Sequence, residues 1–271
     1  MKIIKTANKI ASELLNKKKI GFIPTMGCLH EGHVSLIRKS KKKKLLTVVS
    51  IFVNPLQFNN KKDFKKYPKT ILNDLKICKK NKVDYVYLPQ KKEIYPEKKI
   101  IIKNKIHFFK KYMEGKFRPG HFEGVIEVMK RLLKHVKTNY LFLGKKDYQQ
   151  LIIIKKYLES INSNIIVVPC DTIRDKNGIA LSSRNKLLDQ KSLNIAGRII
   201  NFLKSNKNKI IKSKNNLLYL NKIIEFGAKK IDYLTAFNLE QLKKTNKPSV
   251  NTRVFLAYYL NGMEAVARGT R

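Results

Sequence analysis

Short apolar stretches and longer amphipathic stretches alternate over the first two thirds of this chain, which leaves few folds open to it. The short stretches are rich in β-branched and aromatic residues, as buried strands are. They span residues 19–24, 45–53, 83–88, 140–143 and 165–168. The stretches with helical spacing span residues 3–16, 33–41, 71–80, 122–136 and 148–160. This alternation predicts an α/β fold, a Rossmann-like parallel sheet with helices on both faces.

The pattern changes after residue 173. Residues 175–178, Asp-Lys-Asn-Gly, are a turn signal. Two helical stretches follow at 191–205 and 216–226, and two strands at 231–236 and 253–259. We therefore predict two domains, a Rossmann-like nucleotide-binding domain over residues 1–173 and a smaller C-terminal α+β domain over residues 174–271.

The formal net charge of +40 suggests nucleic-acid binding, because cationic side chains neutralise phosphates. However, 50 of the 59 basic residues are lysines, and dedicated phosphate readers favour arginine. Lysine is spread over nearly every segment together with Ile and Asn, a pattern that an A/T-rich genome produces by itself. We expect no nucleic-acid partner; a basic RNA- or DNA-binding protein stays the alternative, and oligonucleotide binding tighter than about micromolar would favour it.

Two further features concern the compartment. No apolar run reaches the roughly 18 to 20 residues that a membrane span needs, and the N-terminus does not resemble a signal peptide. Cys28, Cys78 and Cys170 lie far apart, without the spacing of a zinc site or a disulfide framework. We expect a cytoplasmic protein with three reduced thiols and no membrane partner.

The segment with the clearest chemistry is Met-Gly-Cys-Leu-His-Glu-Gly-His, residues 26–33. It follows the strand at 19–24 and precedes the helix at 33–41, so His30 and His33 are expected at a helix N-terminus. The free N–H groups and the helix dipole there favour a phosphate. Ligands of such sheets bind at the carboxyl ends of strands. A lone histidine is more often structural, but this context predicts nucleotidyl transfer.

Four more segments offer polar groups at similar junctions. Asn54 and Gln57 can orient a polar uncharged or carboxylate-bearing substrate, and residues 117–125 form either a covering loop or an ordinary junction. After the strand at 140–143, Gly144 permits close backbone approach, Lys146 supplies a charge for phosphate, and Asp147 can hold ribose hydroxyls. Residues 173–185 gather two hydroxyls beside an arginine, which suits a polyphosphate.

These five segments, in this order, resemble the pantoate–β-alanine ligase family of H-x-G-H nucleotidylyltransferases. The resemblance is dense over residues 19–190. It implies that the pantoate carboxylate attacks the α-phosphorus of ATP to give pantoyl adenylate and pyrophosphate, and that β-alanine then displaces AMP to give pantothenate. It also implies Mg²⁺ with the ATP, a homodimer, and a C-terminal domain that closes over the ATP site.

The resemblance assigns roles to particular residues. His33 would be the catalytic histidine, with His30 assisting at the phosphates. Gln57 would bind both pantoate and β-alanine, and Gln150 would bind pantoate. The residues that would hold ATP are Met26, Gly27, Cys28, Leu29, His30, Glu31, Gly32, His33, Gly144, Lys145, Lys146, Asp147, Ile173, Leu181, Ser182, Ser183 and Arg184.

Three positions depart from the family's usual residues. Lys145 stands where Glu is common, and Glu127 stands where Thr is usual. Asn73 replaces an acidic residue that lies near the metal in some relatives, so the metal ligands are left unassigned. We expect the first two departures to tune the site. Another nucleotidylyltransferase of the superfamily remains an alternative, and it would form a stable nucleotide-linked product.

Overall fold

The computed structural model describes residues 1–97, 112–261 and 263–268, and the chain divides into two compact units, Met1–Thr172 and Ile173–Arg271. The strands of the first unit are β1 Lys2–Ile4, β2 Ile20–Thr25, β3 Leu46–Ile51, β4 Tyr85–Tyr87, β5 Tyr140–Gly144 and β6 Ile166–Cys170. Its helices are α1 Ala7–Leu14, α2 Glu31–Lys42, α3 Lys61–Lys66, α4 Ile71–Lys80, α5 Lys91–Ile94, α6 Met113–Phe117, α7 His121–His135 and α8 Tyr148–Ser160.

The six strands form one parallel sheet in the order β1-β4-β3-β2-β5-β6. Successive residues of a strand point to opposite faces. In β2, Phe22 packs in a core cluster with residues of α1, α7 and α8, whereas Ile23 packs in a second cluster with residues of α2 and α4. Val48 and Val49 of β3 divide in the same way. The predicted parallel sheet with helices on both faces is confirmed.

The strand order reverses between β2 and β5. From β2 the chain proceeds to β3 and β4 on one side of the sheet, and later to β5 and β6 on the other side. The connections after two neighbouring strands then leave in opposite directions and open a crevice at the carboxyl ends of the strands. The segments that follow β2 and β5 are residues 26–33 and 144–147, which the sequence predicts to bind ATP.

The predicted helix over residues 3–16 is wrong at its start. Lys2–Ile4 is instead an edge strand paired in parallel with Tyr85–Tyr87, and α1 begins only at Ala7. The edge strand is paired with residues about 80 positions later in the chain. Local periodicity in the sequence cannot reveal such a distant partner. Helices α4 and α8 have the predicted bounds, because their apolar periodicity runs their full length.

The second unit pairs an antiparallel sheet with three helices over its described residues. The strands are β7 Lys230–Asn238, β8 Lys243–Lys244, β9 Thr252–Leu260 and β10 Met263–Arg268, in the order β10-β9-β7-β8. The helices are α9 Gln190–Ser205, α10 Lys207–Lys212 and α11 Leu217–Glu225. Ile199 and Ile210 pack with Leu256 in its core, so the predicted α+β character is confirmed. Over the described residues of both units, no helix has the length and apolarity to cross a membrane.

Helices α4, α8 and α11 end in the same hydrogen-bonded motif with different residues at its left-handed position. The motif joins Lys82 N–H to Lys79 O and Val83 N–H to Cys78 O at the end of α4, both at 3.1 Å. Lys82 has φ 54° there. At the ends of α8 and α11, Asn162 and Gly227 occupy the equivalent position. Asn and Gly tolerate this conformation, whereas lysine is strained in it.

We therefore expect Lys82→Gly to raise the free energy of unfolding by roughly 0.5–1 kcal/mol, since relief of left-handed strain exceeds the added flexibility of the unfolded chain. The matched control is Lys76→Gly, an exposed position in the interior of α4, which should lower the free energy by about 1 kcal/mol. Urea unfolding of both variants measures the difference. Equal destabilisation by the two substitutions would contradict the strain at Lys82.

Candidate active site

The loop between β2 and α2 carries the two histidines. His30 is the N-cap of α2, and its Nδ1 accepts a hydrogen bond from Gly32 N–H at 3.1 Å. His33 Nδ1 in turn accepts from His30 N–H at 3.3 Å. The ring centroids are 4.1 Å apart. The two side chains therefore cap the helix reciprocally and lie side by side at its positive end.

These caps define the tautomer of both rings. A nitrogen that accepts a hydrogen bond carries no proton, so a neutral imidazole in either position holds its proton on Nε2. Each ring then offers an Nε2–H donor that the cap does not use. The cap occupies the N–H groups of His30 and Gly32. The two ring donors at the positive end of the helix dipole then form an anion site.

The environment of His33 keeps it neutral. Desolvation by the surrounding protein lowers the pKa of His33 well below its usual value, and the nearby His30 and Lys146 lower that pKa further. Lys146 follows β5, which pairs with β2 in parallel, so the segments after these two strands leave the same edge of the sheet. The crevice where the strand order reverses lies at that edge.

We expect nitrogen-detected NMR to find His33 as the neutral Nε2–H tautomer at pH 6.5, where an unperturbed histidine is about half protonated. The folded pKa is lower than the unfolded one, so the stability associated with neutral His33 is lost as the pH falls from about 6.5 through the folded pKa. A short histidine peptide is the reference. Half-protonation of His33 at pH 6.5 would contradict this electrostatic environment.

A buried carboxylate fixes the loop in front of the histidines. Asp74 in α4 is fully buried, and its two oxygens accept from Cys28 N–H at 2.9 Å and from Leu29 N–H at 2.7 Å. The Thr70 hydroxyl also donates to it at 3.1 Å. Gly27 and Cys28 both have left-handed backbones, with φ 81° and 51°. Asp74 thus holds two consecutive residues in a conformation that a free chain rarely adopts.

The turn after β3 presents Gln57. Its Oε1 accepts from Asn54 Nδ2 at 3.2 Å, and its Nε2 lies 2.8 Å from Met26 Sδ. Asn54 is itself buried, and it also donates to Gly124 O and accepts from Tyr95 Oη–H. One end of the Gln57 amide is therefore firmly oriented. The other end rests on a thioether, a weak acceptor that a substrate oxygen can replace.

The start of α7 holds the main chain of the same turn. His121 Nδ1 is 2.7 Å from Gln57 O, and Arg118 Nη2 donates to that oxygen at 3.3 Å. Gly124 lies directly against the turn, and a Cβ on it would stand 2.3 Å from Leu56 O. A side chain at position 124 would therefore displace Gln57.

The segment after β5 begins with Gly144 and passes through a 3₁₀ turn, Lys145–Asp147, into α8. Lys145 Nζ pairs with Asp171 at 2.7 Å on the exposed surface, and Lys146 Nζ lies 3.6 Å from Asp147 Oδ1. Gln150 is half-buried on the first turn of α8. Glu31, the first residue of α2, pairs with Arg38 on the exposed side of that helix.

The remaining predicted ATP residues belong to the second unit, where they form one local cluster. Leu181 N–H donates to Ile173 O at 3.0 Å across a hairpin whose turn contains Gly178. Ser182 caps the following 3₁₀ turn, Ser183–Leu187, and its Oγ accepts from Arg184 N–H at 3.4 Å. The turn therefore brings Ile173 beside the 181–184 segment.

The sequence motifs assigned no role to two residues that shape the site. Asp74 lies on the buried face of an amphipathic helix, four residues before buried Cys78, and a charge on an apolar stripe is a signal that could have identified it. The motif around residue 120 includes Gly124, but only the packing against Leu56 shows why it is glycine.

Comparison with known proteins gives a consistent result. The sequence model of the family described as pantoate-beta-alanine ligase matches residues 1–267. A protein of Francisella tularensis subsp. novicida (strain U112) named pantothenate synthetase is 39% identical over 265 residues, which are 97% of this chain and 94% of that protein.

Solved structures agree with the sequence comparison. A pantoate-beta-alanine ligase from Francisella tularensis, complexed with beta-gamma ATP and beta-alanine, is 37% identical with a TM-score of 0.86, and the match covers 98% of this chain and 96% of that one. Pantothenate synthetase from Thermus thermophilus is 28% identical with a TM-score of 0.89, and 98% of each chain is covered.

Proposed function

Because this chain belongs to the pantoate–β-alanine ligase family, we propose that it condenses pantoate with β-alanine to give pantothenate, AMP and pyrophosphate through pantoyl adenylate. The observation that carries this proposal is the pair of Nε2–H donors of His30 and His33 at the N-terminus of α2, beside Lys146. That arrangement binds an anion and offers hydrogen bonds to a phosphate as its charge grows.

In the first step a carboxylate oxygen of pantoate bonds to the α-phosphorus of ATP as the bond to pyrophosphate breaks. Negative charge then moves onto the phosphate oxygens. His33 is the catalytic residue of the proposal, and His30 and Lys146 support it at the same phosphates. Their work is positioning and charge stabilisation, because the reacting groups come from the substrates.

In the second step the free amine of β-alanine bonds to the acyl carbon, AMP leaves, and the amine loses a proton. Gln57 is proposed to contact both pantoate and β-alanine. Its Nε2 has only a thioether as its described partner, so it can donate to a substrate oxygen, while its Oε1 is held by Asn54. Gln150 is proposed to bind pantoate, and its side chain is half-buried on the first turn of α8.

Mg²⁺ is proposed to enter with ATP and to neutralise charge on the phosphates. Over the described residues, no cluster of three His, Cys, Asp or Glu could hold a metal. Both oxygens of Asp74 are already occupied, and Asn73 beside it is an exposed neutral amide. Mg²⁺ commonly retains water and takes most other ligands from a nucleotide. The donor set fits a metal held mainly by phosphate and water, and the protein ligands stay unassigned.

Three further proposals rest on the family resemblance. Ile173 and the 181–184 segment hold ATP when the second unit closes over it, and the local cluster of these residues supports that role. The enzyme works in the cytoplasm, in agreement with three buried cysteines that form no disulfide. It acts as a homodimer, which light scattering after size-exclusion chromatography tests.

Isotope exchange between ATP and pyrophosphate tests the adenylate. We expect exchange with pantoate alone and without β-alanine, because the first step is reversible and needs no amine. Exchange without any carboxylic acid, or a stable nucleotide-linked product in place of free AMP, would instead support another nucleotidyltransferase.

A further inference from the structure

Glu127, one of the departures from the family's usual residues, lies inside the first unit. Its carboxylate is on the buried face of α7, with 4% of the side chain exposed. Arg131, one turn later, donates to it from Nε at 2.7 Å. A buried carboxylate needs such a partner, and the partner in turn loses its freedom to move.

Arg131 is held at two more points by its Nη1, which donates to Ile94 O at 2.9 Å and to Glu97 Oε2 at 2.7 Å. The guanidinium carbon lies 4.9 Å from the centre of the Tyr95 ring. A guanidinium satisfies several acceptors in one plane while it stacks on an aromatic face, which an ammonium cannot do. The fixed guanidinium therefore covers and immobilises Tyr95.

Tyr95 connects the fixed guanidinium of Arg131 to Asn54 and Gln57. Its hydroxyl donates to Asn54 Oδ1 at 2.8 Å, and Asn54 Nδ2 donates to Gln57 Oε1 at 3.2 Å. Tyr95 and Asn54 are both buried. Burial raises the pKa of Tyr95, so the hydroxyl keeps its proton and remains a donor. Asn54 Oδ1 also accepts from Leu56 N–H at 3.2 Å, and Asn54 Nδ2 also donates to Gly124 O at 3.0 Å. The Tyr95 hydroxyl is therefore one of three anchors that fix which end of Asn54 faces Gln57.

We propose that Arg131, locked by Glu127 and Glu97, is a positioning residue that orients Gln57 through Tyr95 and Asn54. This inference rests on the proposed function, because Gln57 is the proposed contact for pantoate and β-alanine. This chain of contacts, the relay, runs from the Glu127–Arg131 pair, in which Glu127 departs from the family's usual residue, to the amide proposed to contact substrate. It makes the orientation of that amide depend on α7 and on the segment that carries Tyr95.

Tyr95→Phe tests the relay, because it keeps the ring under Arg131 and removes only the hydroxyl that holds Asn54. Tyr87→Phe is the matched control, since the Tyr87 hydroxyl is also buried and bonds His135 at 2.9 Å instead. We expect Tyr95→Phe to lower kcat/KM for pantoate about tenfold with KM for ATP unchanged. Arg131→Lys should give a smaller loss, and the double variant no more loss than Tyr95→Phe alone. Tyr87→Phe should keep wild-type kinetics at a similar loss of Tm.

A second readout needs no activity. In ¹⁵N-labelled protein without substrate, Tyr95→Phe should shift or broaden the side-chain amide signals of Asn54 and Gln57, and Tyr87→Phe should not. If the wild-type protein releases no AMP with pantoate and β-alanine together while these signals respond as expected, the proposed function fails and the relay stands. Unchanged amide signals in Tyr95→Phe, or equal kinetic losses in Tyr95→Phe and Tyr87→Phe, would overturn the relay.

Discussion

Replacement of His33 by asparagine should lower kcat for AMP release by roughly 10²- to 10³-fold with little change in KM for ATP, the loss typical of a donor that acts in the transition state. The Oδ1 of asparagine can still accept from His30 N–H, as His33 Nδ1 does at 3.3 Å. The variant therefore keeps the helix cap and loses only the Nε2–H donor.

Three companion variants separate catalysis from capping. His33→Ala removes both functions and should be at least as inactive and less stable. His33→Gln places an amide N–H near the position of Nε2–H and should retain more activity than either. The control is His135→Asn, since His135 is another half-buried histidine of the first unit and bonds Tyr87. Wild-type kcat in His33→Asn would show that His33 only caps α2.

Replacement of Asp74 by asparagine should lower both stability and activity. The carboxylate accepts three hydrogen bonds, and an amide nitrogen in place of one oxygen would face an N–H donor of the 26–30 loop. One buried donor left unsatisfied costs about 1–3 kcal/mol. Because the left-handed residues Gly27 and Cys28 then lose an anchor, the histidines shift, and we expect kcat/KM for ATP to fall at least about tenfold.

The control for this prediction is Asp84→Asn. Asp84 accepts from Thr47 N–H at 2.7 Å and pairs with Lys41, so it is also a carboxylate that holds a backbone N–H of the first unit. It lies outside the 26–30 loop. We expect it to lose stability with near-wild-type kinetics. Equal effects of the two variants on kcat/KM at matched folded fraction would show that Asp74 acts on the fold alone.

Much of the architecture followed from local patterns. The apolar periodicity of α4 and α8 gave their bounds, and the short apolar strands with intervening helices gave the parallel sheet. The edge strand Lys2–Ile4 could not be predicted, because its three residues gain their hydrogen bonds from Tyr85–Tyr87. The antiparallel strand Met263–Arg268 was missed for the same reason, since β9 pairs with it along its length.

The candidate site likewise contains residues that local patterns predict and residues whose role depends on distant contacts. His30, His33 and Lys146 were predicted from their positions at strand ends and helix starts. In the structure Lys146 is near enough to His33 to lower its pKa further. Asp74 is 45 residues from the N–H of Leu29, to which it bonds. Arg131 bonds Ile94 and Glu97, which are 37 and 34 residues away in the sequence. Such contacts depend on how the helices pack, and a single sequence does not specify them.

This enzyme activates pantoate as an adenylate and transfers the pantoyl group to the amine of β-alanine. The most direct measurement is a coupled assay of AMP release with ATP and Mg²⁺, in which pantoate and β-alanine are added separately and together. We predict sustained AMP release only with both, and none with β-alanine alone. Equal ATP consumption without pantoate, or sustained AMP release that does not require β-alanine, would contradict this two-step reaction.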